Sequence, residues 1–135
     1  MHTKDFDGWN TLKQRLNGRE DKSVPLIKER EIWWCSVGIN VGHEADGHNE
    51  LYNRPVLIIR KFSPKPFLGV PLTTKGKPNE YNLPIKFKGT TSYVMLSQLR
   101  LYDTRRIQNQ KSLLGTLPDE QFNAVKKALK ELLKL

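Results

Sequence analysis

Arg54 and the adjacent pair Thr73 and Thr74 bracket the segment RPVLIIRKFSPKPFLGVPLTTK, whose interior reads as two apolar strands joined by a proline-containing turn. A guanidinium presents a planar fork of N–H donors that fits a phosphate, and a hydroxyl adds one more donor. In an antiparallel hairpin the residue that opens one strand lies near the residue that closes its partner. Arg54 and Thr73 can therefore converge on one phosphate despite the nineteen positions between them. Taken singly, each has an ordinary alternative: Arg54 as half of an ion pair at a strand end, and Thr73 as a β-branched strand former.

The loop GHEADGHNELYNR, residues 42–54, holds His43 and His48 with Glu44 and Asp46 between them. Imidazoles titrate near neutrality and could serve as the acid and base of a ribonuclease. Their spacing in a glycine-containing loop matches no zinc pattern, and a lone cysteine supplies no sulfur pair, so no metal is expected. A polar surface loop is the commoner reading of such a segment. Cys35 lies inside WWCSV, an apolar strand-like setting that predicts a core thiol and not a nucleophile. The chain has no glycine-rich phosphate loop, dinucleotide fingerprint, zinc finger or RNA-recognition aromatic motif.

The elements that must position these residues are short. Phe6, Trp9, Leu12 and Leu16 recur at helical spacing within residues 4–17, behind Asp5 and Asp7, and predict an amphipathic helix. Its apolar face is expected to pack on the rest of the chain or on a second copy. NGREDKSVP then reads as a linker. Five runs follow, EIWWCSVGI, RPVLIIRKF, PFLGVPLTT, NLPIKF and SYVMLSQLRLY, which predict strands of a small antiparallel barrel, closure being the way to remove exposed edges. From Thr116, TLPDEQFNAVKKALKELLKL carries a Thr-x-x-Asp cap signature and an apolar face of Phe122, Val125, Leu129, Leu132 and Leu133, which predicts a C-terminal helix. The fold class is thus mainly β with helices. The division expected is an N-terminal helical extension and linker over 1–27 and a barrel domain over 28–135.

With 23 Lys and Arg against 14 Asp and Glu, the 135-residue chain carries a formal charge of +9 spread along its length, which suits a surface that attracts polyanions, nucleic acid first among them. The absence of a signal-peptide pattern or long apolar run, together with the single cysteine, predicts a cytoplasmic protein with no membrane association.

In order along the chain, EIWWCSVGINVGHE, NRPVLIIRK, VPLTTK, SYVMLSQLRLYDTRRI and LLGTLPDEQFNAVKKAL resemble the MazF/PemK family of toxin ribonucleases from bacterial toxin-antitoxin pairs, over residues 30–133. The resemblance implies an SH3-like barrel with a C-terminal helix, a homodimer, a separate antitoxin, and metal-independent cleavage of single-stranded RNA to a 2',3'-cyclic phosphate and a 5'-hydroxyl. It places the family's Arg-Pro-Val arginine on Arg54 and its catalytic threonine on Thr73, with Thr74 as a neighbour. Glu44 matches the family's loop glutamate, expected to orient Arg54 or contact RNA. Ser92, Gln98 and Arg100 match later Ser and Gln-x-Arg positions, expected to bind RNA or support the barrel. The loop between Glu44 and Arg54 is longer than the family's compact form, and its His43 and His48 are the candidates for proton transfer. Two other classes compete: a non-catalytic module of the same fold acting on a protein such as DNA gyrase, and a nucleic-acid-binding protein without catalysis.

Overall fold

The computed structural model describes residues 3–135. Helix α1, Phe6–Asn17, begins where the Asp5 carboxylate accepts from the Gly8 N–H at 3.0 Å and ends at Gly18. Trp9, Leu12 and Leu16 are buried, against Ile39, Leu51 and Tyr52 of the loop that follows the first strand. Each such side chain contributes about 1.5–3 kcal/mol on burial, which holds a helix too short to persist alone. Phe6 departs from the expected face and stays 51% exposed. Of the two packing partners foreseen for this helix, the one observed is its own chain.

The segment read as a linker is fastened at both ends. The Arg19 guanidinium donates to the carbonyls of Arg105, Ile107, Gln108 and Ser23 at 2.6–2.9 Å, and Arg105 returns a bond to the Arg19 carbonyl. Pro25 and Ile27 are buried.

Seven strands follow: β1 Glu31–Ser36, β2 Asn53–Lys61, β3 Pro66–Thr73, β4 Asn82–Phe87, β5 Thr90–Met95, β6 Arg100–Asp103 and β7 Leu113–Thr116. They pair antiparallel in the order β4-β5-β3-β2-β1-β7, and β6 joins β3. One edge of β3 runs along β2, while its other edge pairs first with β6 over Pro66–Gly69 and then with β5 at Leu72 and Thr73. The sheet therefore curls into a small barrel around β3. Val56, Leu57 and Ile58 of β2 are all buried, because Leu57 faces the core beneath the C-terminal helix while Val56 and Ile58 face a second core with Trp33, Cys35, Phe67 and Tyr102. Covering on both faces explains the unbroken apolar runs of the central strands.

Helix α2, Asp119–Leu133, buries Phe122, Val125 and Leu129. Two details differ from the sequence pattern. Thr116 does not cap the helix, since it pairs with Glu31 in the sheet and Pro118 stands at the cap position. Leu133, one helical step of about 100° beyond Leu132, points outward at 52% exposure. The Gln121 amide bonds both the N–H and the carbonyl of Lys86 at 2.9 Å, so α2 covers the outer side of β4. The run SYVMLSQLRLY is not one strand: a 3₁₀ turn at Leu96–Gln98 separates β5 from β6. Strand β7 was not foreseen. Among the described residues no helix is long and apolar enough to cross a membrane.

Candidate functional site

The pairings Val56↔Pro71 and Leu57↔Val70 fix the β2–β3 register, and two further steps bring Arg54 opposite Thr73. Both line one cleft of about 280 Å³, with Thr74, Lys75, Ser92 and His48 around them. Ser92 arrives from β5, whose Tyr93 pairs with Thr73. The two ends of the hairpin thus meet in a shared cavity.

Arg54 is partly buried, and burial lowers the pKa of its guanidinium from the usual value. Its Nε donates to the Asp46 carbonyl at 2.7 Å, and Nη1 reaches the Leu72 carbonyl at 3.5 Å. Among the described residues it makes no ion pair, and its Nη2 has no protein acceptor. The strand-end ion pair suggested by residue type is absent from these contacts. A held cation with unused donors is a receptor for an anion. The Thr73 hydroxyl oxygen accepts from the Lys75 N–H at 3.2 Å, which leaves its own proton to donate.

His48 stands exposed at the rim, its backbone paired both ways with Asn53 at 2.8 Å. Its pKa lies below the ordinary imidazole value, first through partial burial and then through the positive charges of Arg54 and Lys75. The ring is consequently neutral at physiological pH, the form able to accept a proton.

The other residues singled out from the sequence gather elsewhere. Glu44, Gln98 and Arg100 line a separate hollow of about 380 Å³. The Glu44 carboxylate accepts from the Val41 N–H at 3.1 Å, within its own loop. The group that orients Arg54 is the Asp46 carbonyl, because the long loop folds back on itself before β2 begins. Gln98 accepts from the Ala45 N–H at 3.0 Å and donates to the His43 carbonyl at 3.3 Å, so it braces this loop. Arg100 lies over the Tyr102 ring, 4.9 Å from its centroid. The His43 side chain is exposed and does not line the Arg54 cleft. Burial pushes the Cys35 thiol up to about 12, which keeps it protonated and inert. Among the described residues, no group of three or more His, Cys, Asp or Glu side chains is placed to hold a metal ion.

Residues 28–133 match the model of the family described as PemK-like, MazF-like toxin of type II toxin-antitoxin system. The chain belongs to this family. Among solved structures it is similar to MazF from Deinococcus radiodurans, with 22% identity, a TM-score of 0.63, and coverage of 83% of this chain and 98% of that one. It is also similar to a mycobacterial endoribonuclease in complex with its cognate antitoxin, with 18% identity, a TM-score of 0.61 and coverage of 82% and 96%. Mycobacterium tuberculosis toxin MazF-mt6 follows at 17% identity, a TM-score of 0.58 and coverage of 78% and 98%. A comparison with curated proteins gave no match.

Three features of this PemK/MazF-family cleft escaped the sequence. Trp34 lines it at 39% exposure, facing away from the core that holds Trp33 and Cys35. Alternation puts it on the same face of β1 as Ile32 and Ser36, both fully buried, so residue order gives no sign that Trp34 is exposed there. Lys75 adds a second cation beside Thr74. The Asp46 contact comes from a backbone carbonyl, which residue type does not announce.

Proposed function

We propose that this PemK/MazF-family toxin is an endoribonuclease that cuts single-stranded RNA, with Arg54 and Thr73 as the groups that stabilise the reacting phosphate. The observation that supports this reading most is the Arg54 guanidinium, held by backbone carbonyls with a donor to spare, beside the Thr73 hydroxyl in one cleft. The RNA's own 2'-hydroxyl attacks the adjacent phosphorus in line. As the P–O bond to the 5'-oxygen breaks, a 2',3'-cyclic phosphate forms and the leaving oxygen takes a proton to become a 5'-hydroxyl. No protein nucleophile is needed, and written this way the reaction requires no metal. The phosphorane carries extra negative charge on its non-bridging oxygens. The free Nη2 of Arg54 and the Thr73 hydroxyl face that charge, and one preorganised donor of this kind lowers the barrier by about 3–4 kcal/mol. Arginine, with a pKa above about 12, is a poor general base. His48, neutral and at the rim, is the group assigned to take the 2'-hydroxyl proton. Thr74 and Ser92 complete the cleft wall. Glu44, Gln98, Arg100 and His43 are assigned to shaping the long loop, at a distance from the reacting atoms.

The antitoxin complexes among the structural relatives support a protein partner, and a flexible acidic segment is the natural competitor for a basic RNA groove. A homodimer acting in the cytoplasm is the form proposed. The test is to incubate the purified protein with an RNA oligonucleotide in EDTA and determine the product ends by mass spectrometry. Wild type is expected to yield cyclic-phosphate and 5'-hydroxyl ends, and Arg54→Ala and Thr73→Ala are expected to yield little product. Equal cleavage by all three would reject the assigned site. Intact transcripts with impaired DNA supercoiling in expressing cells would favour the gyrase-directed module instead.

A further inference from the structure

Residues 1–27 lie outside the family match, yet the part of them described here touches the proposed site through one continuous set of bonds. The Lys4 ammonium donates to the Asn40 carbonyl at 2.6 Å and the Gly42 carbonyl at 3.0 Å, and pairs with the Asp46 carboxylate at 3.0 Å. The second carboxylate oxygen of Asp46 accepts from the Asn40 N–H at 2.6 Å. Asp46 then presents its backbone carbonyl to Arg54 Nε at 2.7 Å. Both partners of the ion pair are mostly shielded from solvent, with side chains 22% and 26% exposed, so water competes for it less than at an open surface.

The helix behind Lys4 is fitted to the same loop. Tyr52 donates its hydroxyl to the Asp5 carboxylate at 2.7 Å and meets the Trp9 ring edge-on at 5.7 Å between centroids. Gly38, at φ +88°, lies so close to the Trp9 indole that a Cβ there would collide with the ring. Trp9, Leu12 and Leu16 alone would suffice to dock a helix. Lys4 adds nothing to that apolar contact, and all its bonds go to residues 40–46.

We infer that Lys4 is a positioning residue: through Asp46 it sets the loop carbonyl that aims the Arg54 guanidinium, which makes the N-terminal segment part of the catalytic apparatus. The inference rests on the proposed role of Arg54. A long polar loop has many conformations, and the Asp46 carbonyl aims Arg54 only in those where it points into the cleft. Fixing the Asp46 side chain on its far side selects them.

The experiment uses the full chain and its Lys4→Met, Lys4→Arg and Asp46→Asn variants, with Arg54→Ala as reference. Lys4→Met removes a positive charge and Asp46→Asn a negative one, so a general electrostatic effect on RNA binding would move their KM values in opposite directions. The positioning role predicts that both lower kcat alike, by about tenfold, inside the roughly 100-fold that a 1 Å misplacement can cost. The double variant should be no worse than either single one, and Lys4→Arg should recover most of the rate. A second readout is independent of RNA: solvent exchange of the Arg54 Nε–H, followed by NMR, should be slow in wild type and about tenfold faster in both variants. Unchanged kcat and unchanged exchange in Lys4→Met and Asp46→Asn, with Arg54→Ala inactive, would overturn the positioning role and leave the proposed function standing. Full activity in Arg54→Ala would reject the proposed function, and the exchange measurement would still decide whether Lys4 orders Arg54.

Discussion

Two hollows lie close to the same loop, and they differ in how their hydrogen-bonding groups are employed. In the hollow lined by Glu44, Gln98 and Arg100, Gln98 bonds Ala45 and His43 and Glu44 bonds Val41, so both brace the loop, while the exposed Arg100 lies over Tyr102 with its Nη groups turned to solvent. In the cleft of Arg54 and Thr73, a cation is held by backbone carbonyls and keeps donors in reserve. Satisfied groups build a scaffold; unsatisfied but oriented ones await a ligand. By this measure Glu44 and Gln98 support the loop, and the half-buried Arg54 is the cation we propose for a phosphate.

Substitutions can break or sharpen that contrast. The largest effect is expected from Arg54→Lys, which keeps the charge but loses the planar fork: kcat should fall about 100- to 1000-fold with the fold intact, measured by single-turnover cleavage and thermal unfolding. Retained activity would mean that charge alone suffices there. Thr73→Val keeps the β-branched shape and removes the hydroxyl, and should cost about 100-fold in kcat with little change in KM. His48 makes the contrast pH-dependent. Because its folded pKa is lowered, the ring is neutral above that value and becomes protonated as the pH falls through it. A rate that needs a neutral base should therefore fall on the acid side with a midpoint below about 6.5, and His48→Gln should abolish that limb. A limb that survives the substitution would assign the proton to another group. The smallest effect is expected in the scaffold hollow. Arg100→Ala should change kcat less than about threefold, and Gln98→Ala should act through stability, by about 1 kcal/mol.

Much of this arrangement could be read from the chain because it is local. The strand that opens at Arg54 and the one that closes at Thr73 are antiparallel and joined by a short turn, so their outer ends had to lie near one another, while the bulge between Ile58 and Arg60 that sets the final register left no sign in the sequence. Helix α2 announced itself by its periodicity, and α1 did likewise apart from Phe6. Strand β7 was invisible because LLGT is too short and glycine-containing to stand out, and it is held by pairing with β1. The cap expected at Thr116 yielded to the same pairing, tertiary contact overriding a local signal. The Glu44 assignment failed to reach Arg54 for a related reason: the extra residues before β2 change which loop atom faces the guanidinium. Contacts such as Lys4 to Asp46, between segments far apart in sequence and completed by a main-chain oxygen, leave no pattern in residue order.

The Gln121 amide bears on how the molecule avoids its own kind. By taking both the donor and the acceptor of Lys86, one side chain imitates an incoming strand at the place where β4 ends the sheet order. A flank left bare would be a template on which another chain could crystallise its own backbone, the first step towards fibrous self-assembly.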